Sequence, residues 1–130
     1  MVFVGVGYQQ GVEAIVASDA DVVNKGALSE VFVGLELIRS SMPTMKPALH
    51  YWHRESRGSS AELDYVLSEG TSILPVEVKA GSSGKMRSMH MFLEERELQR
   101  GVRVSLENFS TYAQIDTIPL YATWTIAPSR

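Results

Sequence analysis

The apolar positions of this chain follow a helical period first and a strand period afterwards. From Asn24 to about Ser40, residues Ala27, Leu28, Val31, Phe32, Leu35 and Ile38 recur every three or four positions, which predicts a helix burying that face. Asp21 or Asn24 can cap its start, and Pro43 lies just beyond its end. Glu30 sits at the edge of the apolar face. Its neighbours Ala27 and Gly34 are small enough to let another element come close. From Leu49 the period shortens. Leu49 to Glu55 reads as a strand, followed by a polar turn, Ser56 to Ser60. Two more runs flank a turn through Glu69 and Gly70, and the second ends Pro75-Val76-Glu77-Val78-Lys79. Strict alternation puts Glu62, Asp64 and Val66 on one face of the first run, opposite Leu63, Tyr65 and Leu67. In the second run Glu77 and Lys79 share a face opposite Leu74, Val76 and Val78. Paired as a hairpin, the two runs bring two acids and a lysine together.

A Gly/Ser-rich connector, Gly81 to Gly84, leads into a second predicted helix from about Met86 to Gln99, with Met89, Phe92, Leu93 and Leu98 inward and Gly101 as its stop. Val102 to Glu107 and Ile118 to Ile126 read as two further strands, the latter anchored by Tyr121 and Trp124. The order helix, three strands, helix, strand, strand predicts an α/β fold layered around one mixed sheet. Residues 1 to 20 carry a strand-like run, Val2 to Val6, and a helix-like run, Gln9 to Ala17, broken by Gly5, Gly7 and Gly11. They read as the edge or remnant of a connection to an upstream module, and residues 21 to 130 as the domain.

Composition changes this picture little. With 130 residues the chain has one domain's worth of core, and 45% hydrophobic with 21% charged residues is ordinary for a globular protein. The absence of cysteine excludes disulfides and thiolate metal sites and fits a reducing compartment. Met1 to Gly7 lacks a basic flank and is too short for a signal or a membrane span, so a cytoplasmic location without membrane contact is expected. A net charge of -3 supplies no global attraction to nucleic acid. Between Lys79 and Arg103, however, six basic residues face three acidic ones, which allows a local basic patch or a mixed solvated surface.

Several chemistries are excluded by pattern. Gly81-Ser-Ser-Gly-Lys85 resembles a phosphate loop, but Lys79 stands where its first glycine belongs and Met86 where Ser or Thr is needed. His50, His53 and His90 have no metal-binding spacing, and no G-x-S-x-G elbow is present. Tyr51, Trp52, Tyr121 and Trp124 lie in strand-like runs and are expected to pack in the core or on the sheet rather than stack on bases.

What remains is Asp64, twelve residues, then Glu77-x-Lys79. Hard ions such as Mg²⁺ or Mn²⁺ take carboxylates, carbonyls and water, so Asp64, Glu77 and the carbonyl of Val78 can hold one ion. Lys79 can then orient or deprotonate a water, or offset charge on an attacked phosphate. The plain alternative is a solvated ladder of charges on a half-exposed strand.

D-x(12)-E-x-K after a glutamate-bearing helix resembles the PD-(D/E)xK nuclease-like superfamily, whose core is a helix, three strands, a helix and a strand. More specifically, Lys25-Gly-Ala-Leu-Ser-Glu30, Tyr51-Trp-His-Arg-Glu-Ser56, Ala61-Glu-Leu-Asp-Tyr65, Pro75-Val-Glu-Val-Lys-Ala-Gly81, Val102-Arg-Val-Ser-Leu106 and Ile118-Pro-Leu-Tyr-Ala122 resemble the C-terminal domain of predicted prokaryotic AAA-type ATPases. The resemblance implies a restriction-endonuclease-like core, with Glu30 as the helix carboxylate acting directly or through water, Asp64 and Glu77 as metal ligands, and Lys79 as the catalytic lysine. It implies Mg²⁺ or Mn²⁺ as cofactor, DNA more than RNA as substrate, and an AAA-type ATPase module as partner. The proline of the superfamily's name is replaced by Leu63. A catalytically silent binding or regulatory module of the same fold is the competing expectation. The oligomeric state is not legible.

Overall fold

The computed structural model describes residues 22–41, 49–80 and 86–126. Within them lie helix α1 (Val22–Ser40), strands β1 (His50–Ser56), β2 (Ser59–Glu69) and β3 (Ser72–Lys79), helix α2 (Arg87–Glu95), strands β4 (Gly101–Ser105), β5 (Ser110–Tyr112) and β6 (Ile115–Pro119), and a 3₁₀ segment, Leu120–Ile126. The strands form one mixed sheet in the order β1-β2-β3-β4-β6-β5. β1, β2 and β3 pair antiparallel, β3, β4 and β6 run parallel, and β5 pairs antiparallel with β6 at the edge. Helices flank the sheet, giving the expected mixed α/β architecture. The readings of residues 1–20 and of the connector Gly81 to Gly84 lie outside the described residues.

The central strands are covered on both faces, each by its own cluster. Val33 and Leu37 of α1 pack on Leu74, Val76, Val102, Val104 and Ile118, together with Ala122 and Ile126 of the 3₁₀ segment. On the other face Met89, Phe92 and Leu93 of α2 cover Leu63 and Ile115, with the Trp52 ring edge-on to Phe92 at 5.0 Å. Parallel strands need cover on both faces, and this sandwich supplies it.

Besides the edge strand β5 and the start of β6 at Ile115, which the sequence reading lacks, four features depart from the sequence expectation. The buried stripe of α1 is Val33, Gly34 and Leu37, whereas Val31, Phe32, Leu35 and Ile38 remain exposed and Leu28 is half-buried. This helix is apolar on two stripes, and spacing alone did not say which one the sheet selects. The glycine decides it: a Cβ on Gly34 would lie 2.5 Å from the Tyr65 hydroxyl, so only this face lets β2 come close. Alternation in β2 also fails. The β1–β2 register shifts between His50↔Val66 and Trp52↔Leu63, an extra residue on β2, so Leu63 and Val66 pack in one cluster while Tyr65 and Leu67 join the other.

Helix α2 stops at Glu95 rather than near Gln99. Leu98 donates its N–H to the Leu93 carbonyl at 2.9 Å and Glu97 donates to Glu94 at 3.2 Å, with Glu97 at φ 53°. That is a Schellman closure with a glutamate in the left-handed position usually held by glycine. Finally, the run Ile118 to Ile126 is not one strand. Pro119 ends β6, and the chain turns into the 3₁₀ segment, where the Thr123 and Thr125 hydroxyls donate back to the Leu120 and Ala122 carbonyls at 2.7 Å. Tyr121 and Trp124 are therefore exposed, as is Tyr51; Trp52 alone of the four aromatics is a packing residue.

The Schellman closure predicts that Glu97→Gly stabilises the fold, since an L-residue in the left-handed region costs about 1 kcal/mol. The expected rise in Tm is about 3 °C by calorimetry. An unchanged or lower Tm contradicts this account of the helix end.

Candidate functional site

The β2–β3 ladder runs from Glu69↔Ser72 to Tyr65↔Val76 and ends there. Beyond that pair the two strands serve different neighbours: Glu62 pairs with His53 of β1, while β3 continues beside β4 up to Lys79↔Ser105. The irregularity in β2 helps to set this divergence. Asp64 stands at the open end, where its Oδ2 accepts the Val78 N–H at 2.6 Å. A side chain thus satisfies a backbone donor that the ladder has left unpaired.

Glu77 follows on β3, with only 7% of its surface exposed. Its Oε1 is ion-paired with Lys79, while Oε2 is buried without a hydrogen-bond partner among the described residues. Its in-register neighbours across the parallel strands are Arg103 and Thr117, and those of Lys79 are Ser105 and Pro119. Arg103 Nη1 donates to Glu107 at 3.0 Å. Sequence reasoning gave Arg103, Ser105 and Thr117 no site role, although the alternation Val102-Arg103-Val104-Ser105 marks a polar face on β4.

Glu30 comes from α1. Its backbone carbonyl accepts the Tyr65 hydroxyl at 2.8 Å, over the bare Gly34, so the small-neighbour argument made from sequence has a structural counterpart. Its carboxylate is exposed but feels Asp64 and Glu62.

The electrostatics link these groups in series. Burial pushes the Asp64 carboxyl up; the Val78 N–H and Lys79 pull it down, and Glu62 raises it further. Glu77 is also raised, chiefly by burial and then by Asp64, against the opposing pull of Lys79. Glu30 is raised by partial burial and by Asp64. The Tyr65 phenol is pushed up to about 12 by burial and by the same acids. In all three carboxyls the first cause is burial, which disfavours the charged form. Among the described residues, however, no three Asp, Glu or His side chains converge as a ready-made metal cage. The donor set is two carboxylates, Asp64 and Glu77, with Glu30 further out. This suits an ion such as Mg²⁺, which takes one or two carboxylates and keeps several waters.

Three members of the basic run are in internal ion pairs. Lys79 pairs with Glu77, Arg100 with Glu69 and Asp116, and Arg103 with Glu107, while Arg96 lies over the Phe92 ring. His50, His53 and His90 are on the surface. No helix among the described residues is long and apolar enough to cross a membrane.

Fold and site together define a mixed α/β domain with an acid–acid–lysine group at the open end of its central hairpin. Residues 25–123 match the family model described as Domain of unknown function (DUF4143), and the chain belongs to that family. No curated protein and no solved structure matches it.

The raised acids fix the sign of a pH effect. A carboxyl that holds its proton more tightly folded than unfolded contributes stability below its ordinary pKa, 3.8 for Asp and 4.5 for Glu, and loses it as pH rises through the folded value. Asp116, lowered by Arg100, works the opposite way, so a comparison of variants is needed. Asp64→Asn keeps an acceptor for Val78 and removes the charge. In metal-free buffer at neutral pH its Tm is expected to exceed that of wild type by about 3 °C, on the order of 1 kcal/mol, with the gain vanishing below the ordinary carboxylate pKa. A variant destabilised at neutral pH contradicts the assignment.

Proposed function

We propose that this chain is a PD-(D/E)xK nuclease-like domain that hydrolyses phosphodiesters, of DNA more than RNA, with Mg²⁺ or Mn²⁺. The observation that carries the reading is the buried, unpartnered Oε2 of Glu77 beside the raised carboxyl of Asp64. The order helix, three strands, helix, strand in α1 to β4 supports a restriction-endonuclease-like core.

Asp64 and Glu77 would hold the cation. Strand geometry turns the carbonyl of Val78 to the same side as its N–H, toward Asp64, where it can add a third oxygen. Glu30 reaches the site through water. The bound cation supplies Lewis-acid polarisation of a phosphoryl oxygen. Lys79, half-exposed beside Glu77, would either orient the attacking water and, as the neutral amine, take its proton, or, as the ammonium, offset the charge developing on the phosphoryl group. The water oxygen bonds to phosphorus as the bond to the leaving sugar oxygen breaks. An AAA-type ATPase module, in cis or in trans, is the proposed partner.

A second reading, a catalytically silent nucleic-acid- or protein-binding module of the same fold, is favoured by the Lys79–Glu77 ion pair, which ties the lysine to a ligand carboxylate. Incubation with plasmid and single-stranded DNA in Mg²⁺ or Mn²⁺, beside calorimetric titration of Mn²⁺, separates the two. The nuclease reading predicts that Lys79→Ala binds Mn²⁺ but loses about 100-fold or more in cleavage rate. Mn²⁺ binding with no cleavage by wild type selects the silent module. Equal cleavage by wild type and Lys79→Ala removes the lysine from the mechanism.

A further inference from the structure

The stripe of α1 that packs on the sheet holds Val33 and Leu37, with Gly34 between them, and one turn earlier on the same side stands Glu30. The helix face that is apolar over the core is thus acidic beside β2. Val33 and Leu37 meet the sheet through apolar contacts, which hold the layers together without a preferred direction. Tyr65 adds a directional contact, because its hydroxyl donates to the Glu30 carbonyl at 2.8 Å. The approach has no slack: a Cβ on Gly34 would lie 3.1 Å from the ring carbon that bears that hydroxyl.

Both ends of this contact lead to an acid. Its acceptor belongs to Glu30 itself, and its donor springs from the residue after Asp64, where β2 carries its extra residue. Asp64 is in turn tied to β3 through the Val78 N–H at 2.6 Å, one residue from Glu77. A single line of contacts therefore runs from α1 to β3 past all three acids. Its middle member is stiff, because the Tyr65 ring packs against the core cluster under α1 and a tyrosine turns about only two side-chain torsions. An acid that acts through water depends on such support, since its geometry must hold to within about 0.5 Å. Resting on the metal-site reading given above, we propose that Tyr65 is a positioning residue: its hydroxyl, bound to the Glu30 carbonyl across Gly34, sets the height of α1 over β2 so that the Glu30 carboxylate reaches a cation at Asp64 and Glu77 through water. Tyr65 itself touches neither cation nor substrate. Without its hydroxyl, Glu30 is an ordinary exposed helix carboxylate.

The test is a double-mutant cycle on Mn²⁺ affinity, read by calorimetry on the full chain, with Glu30→Gln and Tyr65→Phe made singly and together. Phenylalanine keeps the ring and removes only the donor. Glu30→Gln is expected to weaken Mn²⁺ binding about fivefold, Tyr65→Phe to do nearly the same, and the double variant to lose no more than either single one. Gly34→Ala, which pushes the hydroxyl away from the helix but leaves it in the protein, is expected to match Tyr65→Phe. A tyrosine that only stabilises the fold would lower Tm, and its effect on Mn²⁺ would add to that of Glu30→Gln. Additive losses in the double variant overturn the positioning role and leave the metal site standing. So does Mn²⁺ binding at wild-type strength by Tyr65→Phe, by Gly34→Ala or by Glu30→Gln. No Mn²⁺ binding by wild type sinks the metal site itself, and the positioning role falls with it.

Discussion

The hydrogen bond from the Val78 N–H to the Asp64 carboxylate is the contact on which the arrangement of this protein turns. β3 parts from β2 after Val76 while it continues beside β4 on its other edge, and that departure frees backbone groups in a half-buried place. A buried N–H without a partner costs on the order of 1–3 kcal/mol. Asp64 offsets that cost with a charged acceptor, and its presence there makes the open end of the hairpin acidic. Glu77 then lies one residue from Val78 on a strand whose next outward side chain on the same face is Lys79. Structure and chemistry share a cause: the parting of β2 from β3 that leaves the Val78 N–H to a side chain also collects the acids.

Much of this was legible in the sequence, and the rest has identifiable physical reasons for being hidden. The hairpin was readable because both runs end in strong turn signals and β3 alternates strictly, so Glu77 and Lys79 fall on one face as expected. The site's partner strand was misread at one point. An extra residue in β2 breaks the period-two pattern, and no local residue type announces it, since the shift is set by pairing with β1. The start of helix α1 is legible to within two residues, but its buried face is not, because Val31, Phe32, Leu35 and Ile38 form an apolar stripe that stays exposed, and tertiary contact with Tyr65 selects the face that holds Gly34. The last strand was overextended for a related reason: Ile118 to Ile126 is rich in residues that suit strands, yet Pro119 has no N–H to give and threonines 123 and 125 bond back to their own carbonyls.

The energetic character of the site bears on what it is for. Asp64 and Glu77 are held against their own preference, both raised chiefly by burial, Glu77 also by Asp64 and both by Glu62, while one oxygen of Glu77 finds no donor among the described residues. A stability-optimised sheet would place an apolar or amide side chain at either position. Natural sequences carry such local conflicts most often at functional sites. Membership in the DUF4143 family fixes neither substrate nor activity, so the argument for function rests on that conflict and on the donor set around it.

A crystal of this protein soaked in Mn²⁺ tests the central claim most directly. The account predicts one anomalous peak at the open end of the hairpin, about 2.0–2.6 Å from carboxylate oxygens of both Asp64 and Glu77, with remaining positions filled by water and the Val78 carbonyl. A soaked crystal with no peak there, and the Lys79–Glu77 ion pair intact, contradicts it.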